Sequence, residues 1–105
     1  MSYDRANYAE VEPLAPGMHF LREELDCENL GLTVLDADEG WEGLEHDHAE
    51  DGEEELYLLV EGSCQLTVDG EQLSLDAGDA VRVDPDATRQ LSFGDESTMV
   101  IAGAP

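Results

Sequence analysis

Short runs of alternating apolar and polar residues succeed one another along this chain, separated by glycine, aspartate or proline, and no stretch carries a helical period. Successive side chains of a strand point to opposite faces, so each run can bury one face and wet the other. The runs read as strands are 18–25, 30–35, 44–48, 55–60, 64–68, 71–75, 80–83, 89–93 and 98–102. Asp69-Gly70 is a two-residue hairpin signal, because both residue types tolerate positive φ, and Ala77-Gly78-Asp79 reads as a tight turn. Many short strands at regular spacing predict an all-β sandwich or barrel. A length of 105 residues suits a single domain over 1–105 with a modest core, preceded by an N-terminal arm over about 1–17.

One group stands out as a reaction centre. His46 and His48 are two residues apart, so on an extended segment both rings point to one side while Asp47 faces away. Glu55 follows after an acidic stretch, Ala49-Glu50-Asp51-Gly52-Glu53-Glu54, that suits a solvated turn between strands. Two neutral imidazoles and a carboxylate form a donor set for a divalent first-row ion. With positions left open, a 2-His-1-carboxylate face is the arrangement of non-haem iron chemistry. The bland alternative is a solvated turn in which the histidines hold nothing.

The framework around these residues bears on that choice. Gly40-Trp41-Glu42-Gly43-Leu44-Glu45-His46-Asp47-His48, followed by Glu55-Leu56-Tyr57-Leu58-Leu59-Val60-Glu61-Gly62, resembles the first motif of the cupin family: glycine, five residues, His-x-His, a spacer, glutamate, six residues, glycine. The spacer between His48 and Glu55 is two residues longer than the common form. Glu53 would satisfy the shorter spacing but leaves Gly62 out of register, so Glu55 is taken as the ligand and Glu53 and Glu54 as turn residues. The resemblance implies a double-stranded β-helix, the jelly-roll barrel of cupins. It also implies a divalent transition metal, with iron, manganese, zinc, nickel and copper all compatible with such donors.

A second block, Leu75 to Arg89, resembles the second cupin motif only in part. Counted from Gly78, Asp84 stands at the first proline place, Asp86 at the glycine place, and Arg89 where the family usually has a fourth metal-binding histidine. Taking Pro85 as that proline moves the place to Gln90, whose amide oxygen could coordinate. Strand parity favours Arg89, which alternates with Leu91 and Phe93 on one face, whereas Gln90 shares the other with Ser92. A guanidinium offers donors only and cannot be a ligand. It is expected either to pair with Glu55, to hold an anionic small molecule by a forked contact beside the triad, or to serve as a salt-bridged wall residue.

Parity also assigns the interior. Tyr57 and Leu59 share the face of Glu55, so Tyr57 is a candidate substrate-binding residue as well as an ordinary core aromatic. Leu66, Val68, Val81, Val83, Leu91, Phe93, Met99 and Ile101 fill the remainder, and Leu58 and Val60 point outward although they too are apolar. An outward apolar face needs cover, from the N-terminal strand or from a second subunit. The resemblance implies a homodimer through such a sheet, with Trp41 at the rim or the interface. His19, flanked by Met18 and Phe20, reads as a strand residue and not a catalyst.

Composition speaks to setting more than to chemistry. Twenty-seven acidic residues face four arginines and no lysine, a formal net charge of −23. Such a surface repels nucleic acid and anionic membranes, and its self-repulsion weakens the compact state unless salt screens it. The lysine-free acidic pattern resembles cytoplasmic proteins of salt-accumulating halophilic archaea, which implies a high-salt cytoplasm. Disorder does not fit, because 41% of the residues are hydrophobic and arranged in alternating runs. The start, Met1-Ser2-Tyr3-Asp4-Arg5, lacks the apolar stretch of a signal peptide, and no run could span a bilayer. Cys27 and Cys64 are widely separated and outside any Cys-x-x-Cys pair, so they read as reduced thiols.

Three function classes follow. The first is a metal-dependent enzyme, oxygenase- or isomerase-like, acting on a small anionic molecule. The second is a non-catalytic module that binds a small molecule or a metal. The third is a metal-free barrel with Arg89 paired to Glu55. No residue outside the triad carries an obvious acid–base task, so no catalytic residue is assigned.

Overall fold

A computed structural model describes residues 2–105. Among these residues, eight strands form two antiparallel sheets. The larger contains β1 (Met18–Phe20), β2 (Gly31–Ala37), β8 (Ser97–Ala104), β3 (Glu54–Glu61) and β6 (Ala80–Val83), in that spatial order. The smaller contains β5 (Glu71–Asp76), β4 (Ser63–Val68) and β7 (Arg89–Ser92). Among the described residues, helix is confined to one 3-10 turn at Tyr8–Glu10, and no helix is long and apolar enough to cross a membrane.

The turn chemistry acts as expected. Asp69 and Gly70 both adopt positive φ, 47° and 82°, and join β4 to β5 with Val68 opposite Glu71. Gly62, between β3 and β4, has φ 94°, and a side chain there would collide with Ser97 and the Glu96 carbonyl. That contact explains why a glycine must stand at this step after Glu55.

Two expected strands differ. The run over 18–25 stops at Phe20, because residues 22–26 form turns closed by Leu25 N–H to Leu21 O and Cys27 N–H to Arg22 O. The run over 44–48 is not a regular strand. Its backbone nevertheless lies along β7, through Gly43 N–H to Leu91 O and a reciprocal pair between His46 and Arg89 at 3.0 and 2.8 Å. Glycines at 40 and 43 loosen this edge, since glycine weakens regular pairing.

The core lies between the sheets. Leu35, Tyr57, Leu59, Leu66, Val83, Phe93 and Met99 are buried, as the parity of β3 requires. On the opposite face of β3, Leu56, Leu58 and Val60 are exposed. Trp41 packs edge-on to Phe93 and donates from Nε1 to Pro16 O at 2.7 Å, which ties the N-terminal arm across one end of the barrel. Both cysteines are free thiols.

Candidate metal centre

The centre is assembled from three segments at that end. His46 is held opposite Arg89 by the backbone pair, His48 donates its backbone N–H to Pro85 O at 2.7 Å, and Glu55 enters from β3 beside Val83 and Gly103. One ligand atom from each of His46, His48 and Glu55 lies within 4.8 Å of the others. The two imidazoles meet edge to face, their centroids 5.2 Å apart.

Hydrogen bonds decide which ring nitrogens remain available. His46 Nδ1 lies 3.1 Å from Leu44 O, and His48 Nδ1 lies 3.1 Å from Asp51 Oδ2. A carbonyl only accepts, so neutral His46 carries its proton on Nδ1 and its lone pair on Nε2, while both nitrogens of His48 face carboxylates and the shorter contact, at Nδ1, favours the proton there. For His48 that lone pair faces Glu55 Oε1 at 3.4 Å. Two acceptors so placed repel unless a cation or a proton lies between them. The donor set therefore fits a divalent ion.

Glu55 is itself held. Oε1 accepts from the Tyr57 hydroxyl at 2.6 Å and from Arg89 Nη1 at 3.0 Å, and no side-chain hydrogen bond among the described residues reaches Oε2. Burial, reinforced by the nearby carboxylate, pushes the Tyr57 phenol well above its ordinary range, so it stays a donor. Arg89 has no exposed surface; Nη2 donates to Asp84 O at 2.6 Å, and Nε is buried without a partner. Such an unpaired donor costs about 1–3 kcal/mol.

The other candidates fall elsewhere. Glu53 pairs with Arg22 at 3.1 Å, and Glu54 turns outward to Arg82 at 3.2 Å. Gln90 donates its amide to Gly43 O at 3.0 Å, on the side away from Arg89. His19 Nδ1 bonds Val11 O at 2.7 Å and its ring packs on Tyr8, a structural role. Arg89 lines neither of the two cavities at this end, and its guanidinium bonds Glu55 and the Asp84 carbonyl, the pairing with Glu55 being one of the arrangements expected for it. Asp51, on the ring of His48, was not singled out by spacing; its two-residue insertion relative to the motif was the available signal.

Two cavities meet at His48 and Glu55. One, of about 510 Å³, is walled mainly by Met18, Phe20, Trp41, Leu44, Leu91 and Ile101, with His46 and Tyr57 also reaching it. The other, of about 600 Å³, is rimmed by Glu12, Glu23, Glu24 and Glu53 and holds Arg22, the one cationic side chain lining either cavity among the described residues.

A family model described as a cupin domain matches residues 34–102. No curated protein matches the chain. Among solved structures, a cupin protein from Bacteroides fragilis is 25% identical with a TM-score of 0.79, over 99% of this chain and 85% of that one. An RmlC-like cupin from Shewanella frigidimarina is 21% identical with a TM-score of 0.79, over 100% and 95%. A sugar phosphate isomerase of the cupin superfamily from Silicibacter pomeroyi is 18% identical with a TM-score of 0.77, over 96% and 75%. The last two share the fold and carry no statement about activity. With two thirds of its length under the family model, and a jelly roll of two antiparallel sheets bearing most of the first motif, this chain belongs to the cupin family.

Proposed function

We propose that this protein holds a divalent transition metal through His46, His48 and Glu55 at the inner end of a small-molecule cavity. The observation that carries this reading is the convergence of three ligand atoms within 4.8 Å, with Nδ1 of both imidazoles turned to an acceptor oxygen and away from the other ligands. A bound ion would supply Lewis acidity and open coordination positions. Arg89 and Tyr57 restrain the carboxylate by its Oε1, the same oxygen that faces His48 Nε2, so the glutamate is held in place at the point where the ion would sit.

The cavity supports a ligand with an apolar body and one oxygen or nitrogen donor. Its walls are aliphatic and aromatic, and no arginine faces it. A sugar phosphate, the substrate class named for the Silicibacter pomeroyi relative, would find as cationic partners the ion itself and, in the adjoining cavity, Arg22. An isomerase- or oxygenase-like reaction on a small molecule with an anionic or polar donor group is the proposal, with a non-catalytic binding module as its simpler form.

A second reading has its own support: Glu55 Oε1 already takes two donors, one of them cationic, as in a metal-free barrel closed by an ion pair. Elemental analysis of protein purified in high salt without chelator separates the two. The metal reading expects about one equivalent in the wild type and none in His46→Ala/His48→Ala. Equal, negligible metal in both proteins leaves the ion-pair reading.

A further inference from the structure

We infer that Asp51 is a positioning residue for His48, fixing its ring so that the Nε2 lone pair is turned toward Glu55. The inference rests on the metal-binding reading above and extends it to a residue outside the triad. It begins with the lengthened connection between His48 and Glu55. Gly52 N–H closes a turn onto His48 O at 2.8 Å, with Gly52 at φ 69°, a conformation natural to glycine. That turn brings the Asp51 carboxylate back over the ring it follows.

Both oxygens of Asp51 are then used. Oδ1 accepts the Glu53 N–H at 3.1 Å, which holds the carboxylate in place, and Oδ2 lies 3.1 Å from His48 Nδ1. His48 is anchored from the other side by its backbone bond to Pro85 O. The ring is thus clamped between Asp51 and Glu55, with the lone pair on Nε2. A carboxylate behind an imidazole fixes its tautomer and raises its basicity toward a metal. His46 receives only the neutral Leu44 carbonyl at the equivalent nitrogen, so the two ligands differ in donor strength.

His48, Asp51 and Glu53 also cluster within 4.8 Å. The Nδ1 proton stands between the first two, and Glu53 Oε1 is bound to Arg22. The group therefore acts as support for one ion and not as a second ion site.

The test compares Asp51→Ala, Asp51→Asn and Asp47→Ala with the wild type. Asp47 is the loop control, because its Oδ1 caps Ala49 N–H at 3.1 Å and is bonded to neither histidine. Long-range 1H–15N spectra of chelator-stripped protein, at a pH where the same spectra show the ring neutral, read the tautomer. Zinc competition against a chromophoric chelator reads affinity. Wild type and D51N should carry the His48 proton on Nδ1, whereas D51A should shift it toward Nε2 and weaken zinc binding about 10- to 100-fold. D47A should change neither. The inference is overturned if D51A keeps the tautomer, if D47A has an equal effect, or if D51A loses a second equivalent of zinc. If the wild type binds no zinc, the metal reading fails, while the tautomer of the metal-free protein still decides the role of Asp51.

Discussion

Arg89 donates from Nη1 to Oε1 of Glu55 at 3.0 Å from a position with no exposed surface. Arg89, which stands where the second motif would place a ligand, thereby bonds the carboxylate proposed above as a ligand.

Replacing that cation by a ligand should tighten metal binding. Arg89→His frees Oε1 and offers an imidazole from the same strand position. Zinc affinity, measured by chelator competition, should tighten about tenfold, equivalent to about 1.4 kcal/mol. Unchanged or weaker binding would mean that a side chain at 89 does not reach the ion.

Removing the charge without replacing its function should destabilise the fold. Arg89→Met leaves the Glu55 carboxylate, 12% exposed, without its cation, and the Asp84 carbonyl without its donor. Breaking a buried pair costs about 3–5 kcal/mol, whereas replacing both partners is far better tolerated. Urea unfolding should show a loss near the lower end of that range for R89M and a partial recovery for E55Q/R89M. A loss below about 1 kcal/mol in R89M, typical of a surface pair, would contradict the buried character of the contact.

The outer face of the larger sheet should mediate self-association. Leu56 and Leu58 of β3 lie beside Ala102 and Val100 of β8, and Val60 continues the apolar stripe. A net charge of −23 opposes the approach of two copies until salt screens it. Sedimentation in 2 M KCl should show a dimer that dissociates in Leu58→Glu/Val60→Glu, and the wild-type dimer should weaken at 0.1 M KCl, where screening extends over about 10 Å. A monomer under all conditions would leave this face without the partner expected for it.

Stability should fall in alkali. Burial pushes the Cys64 thiol from an ordinary 9.0 up to about 11, and burial with the Glu55 carboxylate pushes the Tyr57 phenol above its ordinary 10.0. The folded state keeps these protons while the unfolded chain releases them, so the stabilisation is complete below pH 9.0 and is lost as pH rises toward and beyond 11. Melting temperatures at pH 8, 9, 10 and 11 should decline, and Cys64→Ala should flatten the first part of that decline. Equal slopes in wild type and variant would remove Cys64 from the explanation.

Much of the fold and half of the centre could be read from residue order alone. Alternation placed Tyr57 and Leu59 inside and Leu58 and Val60 outside, because strand parity is local and each face follows from the next residue. Asp69-Gly70 specified its hairpin for the same reason: the two backbone angles belong to two residues. The step of seven from Glu55 to Gly62 singled out the glutamate, and a steric contact with Ser97 explains it. The partners of those residues were not legible in this way. Whether Arg89 meets a ligand or Glu55, and whether Asp51 faces solvent or His48, depends on β3, β7 and two loops arriving at one point. Spacing can assign a side chain to a face, but a hydrogen bond a few ångströms long is selected by segments distant in sequence, and that selection gave Arg89 to Glu55 rather than to the cavity.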